Sequence, residues 1–538
     1  MSNELGDDSK NKMVDPTEEE VKQIQSQGYI PNQQELAHDL YDMDEISQYY
    51  SRSESKKDHP TVDDEQHSTS SASNDIEKQN SDQPINEGPA PTRQLSIFHP
   101  SVRHLWKQIC INFVKYQILI GFLIIASFSI YWGALYDRPG HLKGLKMLVV
   151  NEDYYSGGIG ESVLSIIEND YQNYGTWHIL HNSSEIENFF KIDSVSNYNI
   201  SELILEQVHK RYYWSSTHIK PNATNIQLEF YNGTLSGNLT NAVEYIYETG
   251  RDITSVTPYV VRTLQDIEES FNAVYPTGLG KSLTNQLSDN VKIELVNSGN
   301  SVISPIFNYL DYRPYSNTVL LAPLQVGLIY LIIISFFLFN FFVETHTLLL
   351  PYVKPQYYLL YRIVFNHFSY LIVSMFICAV SAIFQVDFTL AFGRGGWVVY
   401  WLSTYLTLAA VGGANENMGM LIFSYDPKFL AFWLITFVIL NVSPSFSPMA
   451  LTNDFYRYGY MMPIHHSNEI YKVIFMDLWK GQLGLNYGIL VVWIVLNTLA
   501  LPFVLKHVGK RMAKKAQAAA QAAQATNSGP KGPGGPPK

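Results

Sequence analysis

Ile118 to Tyr136, ILIGFLIIASFSIYWGALY, is nineteen residues without a charge. As a helix it is long enough to cross a hydrocarbon layer of roughly 30 Å. No further run of this kind occurs until Leu320, where LLAPLQVGLIYLIIISFFLFNFFV reaches Val343. Four more follow, at 368–386, 396–412, 429–443 and 487–505. Trp397, Tyr400, Trp401, Tyr487 and Trp493 cluster at their ends, as interfacial anchors do. The fold class is a multispanning α-helical membrane protein of about six transmembrane helices, with a large α+β external domain between the first and second. The fourth and fifth crossings carry the weakest apolar signal.

Charge sets the expected orientation. Arg93, Arg103, Lys107 and Lys115 precede the first crossing, with no acid between Glu87 and Asp137. KHVGKRMAKK follows the last one. Cytosolic flanks favour such basic residues, so both termini are expected in the cytosol, which requires an even number of crossings. Residues 1–100 hold 21 acidic and 8 basic side chains, so this tail accounts for all of the chain's net −12. Its polar composition predicts disorder and excludes a secretory signal peptide. The expected organisation is an acidic tail (1–100), a basic flank with helix 1 (101–136), an external α+β domain (137–319), helices 2–6 (320–505) and a basic, then low-complexity tail (506–538).

Five sequons fall in 137–319, at Asn182, Asn199, Asn222, Asn232 and Asn238, and none in 1–117. Such clustering marks the glycan-bearing side of the membrane. A sixth, Asn441, lies at a membrane edge and is expected to be unused. The two cysteines, Cys110 and Cys378, sit beside or inside apolar segments, so no disulfide is expected; Cys110 could be acylated near the membrane surface, but reads rather as an unmodified buried thiol.

Within the external segment, LKMLVV (145–150), YGTWHIL and NIQLEFYNGT read as strands. ESVLSIIEND, SELILEQVHKRY and VTPYVVRTLQDIEESFNAV read as helices. YPTGLGKSLT (275–284) resembles the tail of a phosphate-binding loop, but Tyr275 stands where the first glycine belongs and a helix, not a strand, precedes it. It reads as a Gly-rich turn, and no complete phosphate loop occurs elsewhere. The Asp153-containing turn could bind a cation but reads as structural. Neither G-x-S-x-G nor H-E-x-x-H occurs, and no enzymatic activity, cofactor, metal or nucleic-acid partner is expected.

The layout of one helix, a large external domain and five closely spaced helices resembles the membrane subunits of type-2 ABC exporters. Their external domain opens with a strand ending in Val-Asn-Glu-Asp, here Val150 to Asp153. A closer resemblance lies in GGANEN (412–417) and FYRYGYMMPIHHSNEIYKVIFMDLWKGQLGLNYGILVVW (455–493). These segments are similar to the fungal nitrosoguanidine-resistance membrane proteins, over about residues 105–510. The resemblance implies a protein of the plasma membrane, or of the vacuolar or endoplasmic reticulum membrane, linked to resistance against nitrosoguanidine and other toxic compounds. It also implies two roles to choose between. One is an export permease for amphipathic solutes. The other is a non-transporting regulator of lipid asymmetry that works through flippases or transporters. Membrane lipids and a separate ATPase, flippase or transporter are the implied partners, because the chain carries no ATPase of its own.

The candidate path residues are Gly412, Gly413, Asn415, Glu416, Asn417 and Arg457. A carboxylate such as Glu416 is costly at membrane depth unless paired or hydrated, so it marks a polar path or a protein interface. The glycines would allow a helix break, with Asn415 and Asn417 satisfying the freed backbone. The plainer alternative makes GGANEN the cytosolic turn between the fourth and fifth crossings. Ile470, Val473, Ile474 and Leu478 share one face of a helix expected to lie along the interface. His465 and His466 ahead of it, and Asn340, Asn366 and His367 elsewhere, read as surface or interfacial polar groups.

Overall fold

The computed structural model describes residues 103–232, 240–297 and 304–527; the acidic tail, Asn238 and the low-complexity end lie outside them. The chain divides into residues 116–508 and a second unit of residues 1–115 with 509–538. The architecture below belongs to 116–508.

α1 (Arg103–Gly133) leads into a five-stranded sheet. In chain order the sheet domain runs β1 (Lys146–Asn151), α2 (Ile159–Asp170), β2 (Thr176–Leu180), α3 (Ser183–Phe190), α4 (Ile200–His209), β3 (Ser215–Ile219) and α5 (Ala223–Tyr231). It continues with β4 (Thr240–Tyr247), α6 (Arg262–Val274), α7 (Leu279–Asn285), α8 (Asp289–Asn297) and β5 (Ile306–Asp311). The strand order is β2-β1-β3-β4-β5. β1 pairs in parallel with β2 and β3, and β4 with β5, while β3 and β4 are antiparallel. Alternating residues of β1 feed two cores: Met147 and Val149 pack with α2 and α6, and Leu148 and Val150 with α3 and α4. Helices thus cover both faces, as parallel pairing requires, and the interspersed order becomes a three-layer α/β arrangement.

NIQLEF is helix α5, not a strand. The Asp153 carboxylate accepts from the Thr224 backbone N–H and, at 2.5 Å, from its hydroxyl, so a tertiary cap starts this helix. The same carboxylate accepts from Gly160 N–H at 3.2 Å, at the start of α2. A Cβ at Gly160 would lie 2.4 Å from Asn151 Oδ1, so only glycine allows this closure. In sheets of this order, a bound phosphate sits in the crevice beyond the first strand, at the following helix N-terminus. Here Asp153 fills that position from within the protein, which is the structural role expected of it. GLGKS enters the short helix α7 directly after α6, with Tyr275 buried, so its surroundings are helical on both sides.

Among the described residues, five helices are long and apolar enough to cross a membrane, and a sixth apolar helix is shorter. After α1 these are α9 (Gly327–Leu349), α10 (Pro355–Ile383), α11 (Gly396–Tyr425), the 13-residue α12 (Leu430–Val442) and, after α13 (Pro463–Met476), the long α14 (Leu483–Asn527). The chain is a multispan helical membrane protein with a sheet-containing domain between its first and second long helices.

α12 runs beside α1: Lys428 lies over the Tyr116 ring at 5.7 Å, Thr436 is 3.2 Å from Ser127, and Arg138 donates to Ser447 at 2.8 Å. The chain after α12 is largely buried, with the Ser445 and Phe446 N–H groups donating to Val442 O at 3.0 and 3.1 Å and Asn468 Nδ2 donating to Ser445 O at 3.0 Å, so these backbone groups are satisfied inside protein. The Asn441 side chain is fully buried, which agrees with an unused sequon. α13 does not lie along an interface. Ile470, Val473 and Ile474 are buried, but so are Ser467, Asn468, Tyr471 and Lys472 around the rest of the helix.

Candidate functional site

GGANEN forms neither a turn nor a break. α11 is a continuous helix of 30 residues, and the motif lies inside it. The two glycines serve close packing: a Cβ at Gly412 would sit 2.6 Å from the Tyr370 ring, and one at Gly413 would sit 2.8 Å from Asn497 Cβ. α10 and α14 therefore approach α11 where Glu416 is presented.

Glu416, 6% exposed, pairs with Arg362, 5% exposed, on α10. Arg362 Nε donates to Glu416 Oε1 at 3.0 Å, Nη2 donates to the same oxygen, and Nη1 donates to Tyr358 Oη at 3.2 Å. Asn366, one turn further along α10, donates to the other carboxylate oxygen. Two ions inside apolar surroundings are tolerable only when each satisfies the other and further hydrogen bonds complete the set, and this geometry does both. The pair lies roughly two turns inside the start of α10 and the end of α11.

A cavity of about 30 Å³ opens beside the carboxylate, enclosed by α10, α11 and α14. Asn366, His367, Tyr370, Gly413, Glu416, Asn417 and Asn497 supply its polar and close-packed wall. It holds one or two water-sized groups. Asn417 donates to Asn497 O at 2.9 Å, Asn497 donates to Ala410 O at 3.1 Å, and His367 Nδ1 is 3.0 Å from Tyr405 Oη.

The candidate residues thus separate. Gly413, Glu416 and Asn417 line the cavity, and Gly412 seats Tyr370 beside it. Asn415 faces the other way: it donates to Ile332 O at 3.0 Å and Ser335 Oγ at 2.8 Å, and accepts from Trp433 Nε1 at 3.0 Å. It ties α11 to α9 and α12. Arg457 is remote, its side chain 68% exposed and paired with Asp454 at 2.7 Å. His466 is not a surface group; it is buried between Asn486 Oδ1 at 2.9 Å and Tyr460 O at 2.8 Å. Asn182, Asn199, Asn222 and Asn232 are all exposed, as acceptor asparagines must be. Cys378 is buried, but Cys110 is exposed and not the buried thiol expected, since it lies on the part of α1 that no other described element covers.

Arg362, Asn366, His367, Tyr370 and Asn497 are the site residues that sequence reading passed over or left as interfacial groups. The third crossing had been expected to begin at 368, which leaves Arg362 outside it. α10 instead starts at Pro355, where proline suits the first helical turn. The available signal was the spacing of Arg362, Asn366 and Tyr370, four residues apart on one helix face.

The family described as Protein of unknown function (DUF3533) matches residues 116–499. The chain is similar to an uncharacterized endoplasmic reticulum membrane protein of Saccharomyces cerevisiae, YJR015W, 36% identical over 441 residues that cover 79% of this chain and 86% of that protein. No solved structure matches the chain. Since the matched region covers well over half of the chain and takes in α9 to α13, the chain belongs to the DUF3533 family.

Proposed function

We propose that this protein is a permease-like membrane protein that takes the polar end of an amphipathic molecule into the cavity beside Glu416. By moving such molecules it confers resistance to nitrosoguanidine and other toxic compounds. The observation that carries this reading is a buried carboxylate, balanced by Arg362, lining a cavity between three long apolar helices. Ionisable groups in that setting mark substrate paths. The resemblance to exporter membrane subunits supports the same reading, with energy drawn from a gradient or from a separate ATPase, flippase or transporter.

One observation favours a second reading. A cavity of about 30 Å³ admits a head group and not a whole solute in this conformation. A non-transporting regulator of lipid asymmetry, sensing head groups and acting through partner flippases or transporters, needs no more.

We assign both termini to the cytosol and the sheet domain to the opposite, glycan-bearing side. Four exposed sequon asparagines in that domain support this, and α12 with the buried segment after it serves as the sixth crossing by running beside α1. The yeast relative, an endoplasmic reticulum membrane protein by name, favours that membrane over the plasma membrane.

The test uses purified, glycosylated protein in sealed liposomes, offered a fluorescent phospholipid and a labelled nitrosoguanidine-like compound, with and without a proton gradient. Flux above empty vesicles that is lost in Glu416→Gln is the expected result. Absence of flux from monodisperse protein would overturn the permease reading in favour of the regulator.

A further inference from the structure

Resting on the reading of the Glu416 cavity as a recognition site, we infer that the group it recognises is a primary ammonium. The walls present a carboxylate and an unpartnered amide oxygen among their polar groups. Each amide nitrogen that lines the space is turned onto protein: Asn366 Nδ2 onto Glu416, Asn417 Nδ2 onto Asn497 O, and Asn497 Nδ2 onto Ala410 O. The Thr498 hydroxyl donates to Ile494 O at 2.8 Å.

Oxygen lone pairs remain. Asn417 Oδ1 is buried and has no hydrogen-bond partner among the described residues, although its side chain is 6% exposed and lines the cavity. A buried polar atom of this kind is costly to leave unpaired, and a donor from a ligand satisfies it. Charge adds direction. Glu416 lines the cavity and Arg362 does not, so the ion pair turns its negative end toward the space. A cation with several N–H donors meets both features. A phosphate or carboxylate meets neither, and a trimethylated ammonium has the charge but no donor. A bare ammonium is of the size of the water-sized groups that the cavity takes.

Two sources share this chemistry, an amine-bearing lipid head and a soluble amphipathic amine. The experiment measures binding to the purified full chain by thermal shift, using dodecylammonium, dodecyltrimethylammonium and dodecanol in one detergent. The expected order is dodecylammonium tightest, by about tenfold over the trimethylated probe, since a hydrogen bond to a charged group is worth roughly that factor. In Asn417→Ala the preference falls several-fold, and in Gly413→Ala, whose methyl meets Asn497 Cβ at 2.8 Å and so displaces part of the cavity wall, binding of all heads weakens. Asn340→Ala, a residue of α9 that donates to Phe336 O and is absent from the cavity wall, keeps the wild-type order.

Equal binding of the primary and trimethylated probes overturns the inference, and so does dodecanol binding as tightly as the amine. Displacement of dodecylammonium by vesicles of ethanolamine-headed but not choline-headed lipid identifies the lipid source. Displacement by neither supports a soluble amine. Binding selectivity without flux would sink the permease reading and leave this inference standing; flux without amine preference would do the reverse.

Discussion

Arg362 and Glu416 show what one buried charge demands of its neighbours. Glu416 Oε1 takes two donors from Arg362, Oε2 takes Asn366, and Tyr358 holds the far side of the guanidinium. Removing one partner strands the other in largely apolar surroundings, whereas removing both and restoring the volume strands nothing. Arg362→Met is therefore expected to destabilise the folded protein by about 3–5 kcal/mol, and Arg362→Met with Glu416→Leu to recover most of that loss. Thermal unfolding of the three proteins in one detergent decides it. A double variant as unstable as the single would mean that the surrounding amides, not the pair, hold the site together. The same comparison separates folding from function: the double variant should fold yet fail in the flux assay, because its cavity lacks the carboxylate.

At the scale of elements, the first and third strands are joined at their ends by a polar chain rather than by apolar packing alone. His218 on β3 is buried, with Nε2 2.5 Å from Glu152 Oε2 and Nδ1 3.1 Å from Ser201 Oγ on α4. Lys220 donates to Ser201 at 2.6 Å and to Glu244 on β4 at 2.5 Å. Burial lowers the affinity of the His218 ring for a proton below its ordinary 6.5, although the Glu152 hydrogen bond works the other way. The unfolded chain then binds a proton near 6.5 that the folded domain resists, so stability rises with pH. The contribution is complete above that value and is lost as pH falls through it toward the folded pKa. Melting curves at about pH 7.5 and pH 5.5 should show the domain weakened in acid, and His218→Gln should flatten the difference. An unchanged slope in the variant would remove His218 from the account.

How far these elements were legible follows from where their signals lay. LKMLVV reads as a strand because its β-branched, apolar residues are buried on both faces, and β1 occupies 146–151. β3 carries Ser215, Ser216, Thr217 and His218, all buried, and no apolar periodicity announces it. α5 alternates like a strand, yet Asp153, seventy residues earlier in the chain, caps it into a helix. α11 was divided at GGANEN because two glycines and three polar residues resemble a turn. Only the arrival of α9, α10, α12 and α14 around them makes those residues interior. Tertiary partners of this sort leave no trace in local composition.

At the scale of the whole unit 116–508, the sheet domain and the helices are locked by charge at α13. Arg211, in a left-handed backbone conformation with φ 66° just after α4, reaches Glu469 on α13. Lys472 donates to the same carboxylate at 2.8 Å from one turn along the helix. A second tie lies at the helix end, where Arg313 donates to Asp477 Oδ2 at 2.9 Å and to its carbonyl at 2.8 Å. α13 packs in turn against α11: Thr404 and Tyr471 share a hydrogen bond at 2.7 Å, and Thr407 and Ser467 one at 2.8 Å. The sheet domain is thereby tied through α13 to the helix that presents Glu416.

The arrangement at Glu469 is asymmetric, and the asymmetry is measurable. One carboxylate serves two cations, so Arg211→Ala leaves Glu469 still paired with Lys472 and should cost about 1–2 kcal/mol. Glu469→Ala leaves two buried cations facing each other and should cost about 3–5 kcal/mol, with Lys472→Met in the same chain returning part of it. If the joint also transmits motion, Arg211→Ala should lower flux in the liposome assay by more than its small stability loss explains, while ammonium binding at the cavity stays intact. Equal stability costs for Arg211→Ala and Glu469→Ala would show that the ion triad is screened by water. The polar coupling between α13 and the sheet domain would then rest on Arg313 and Asp477.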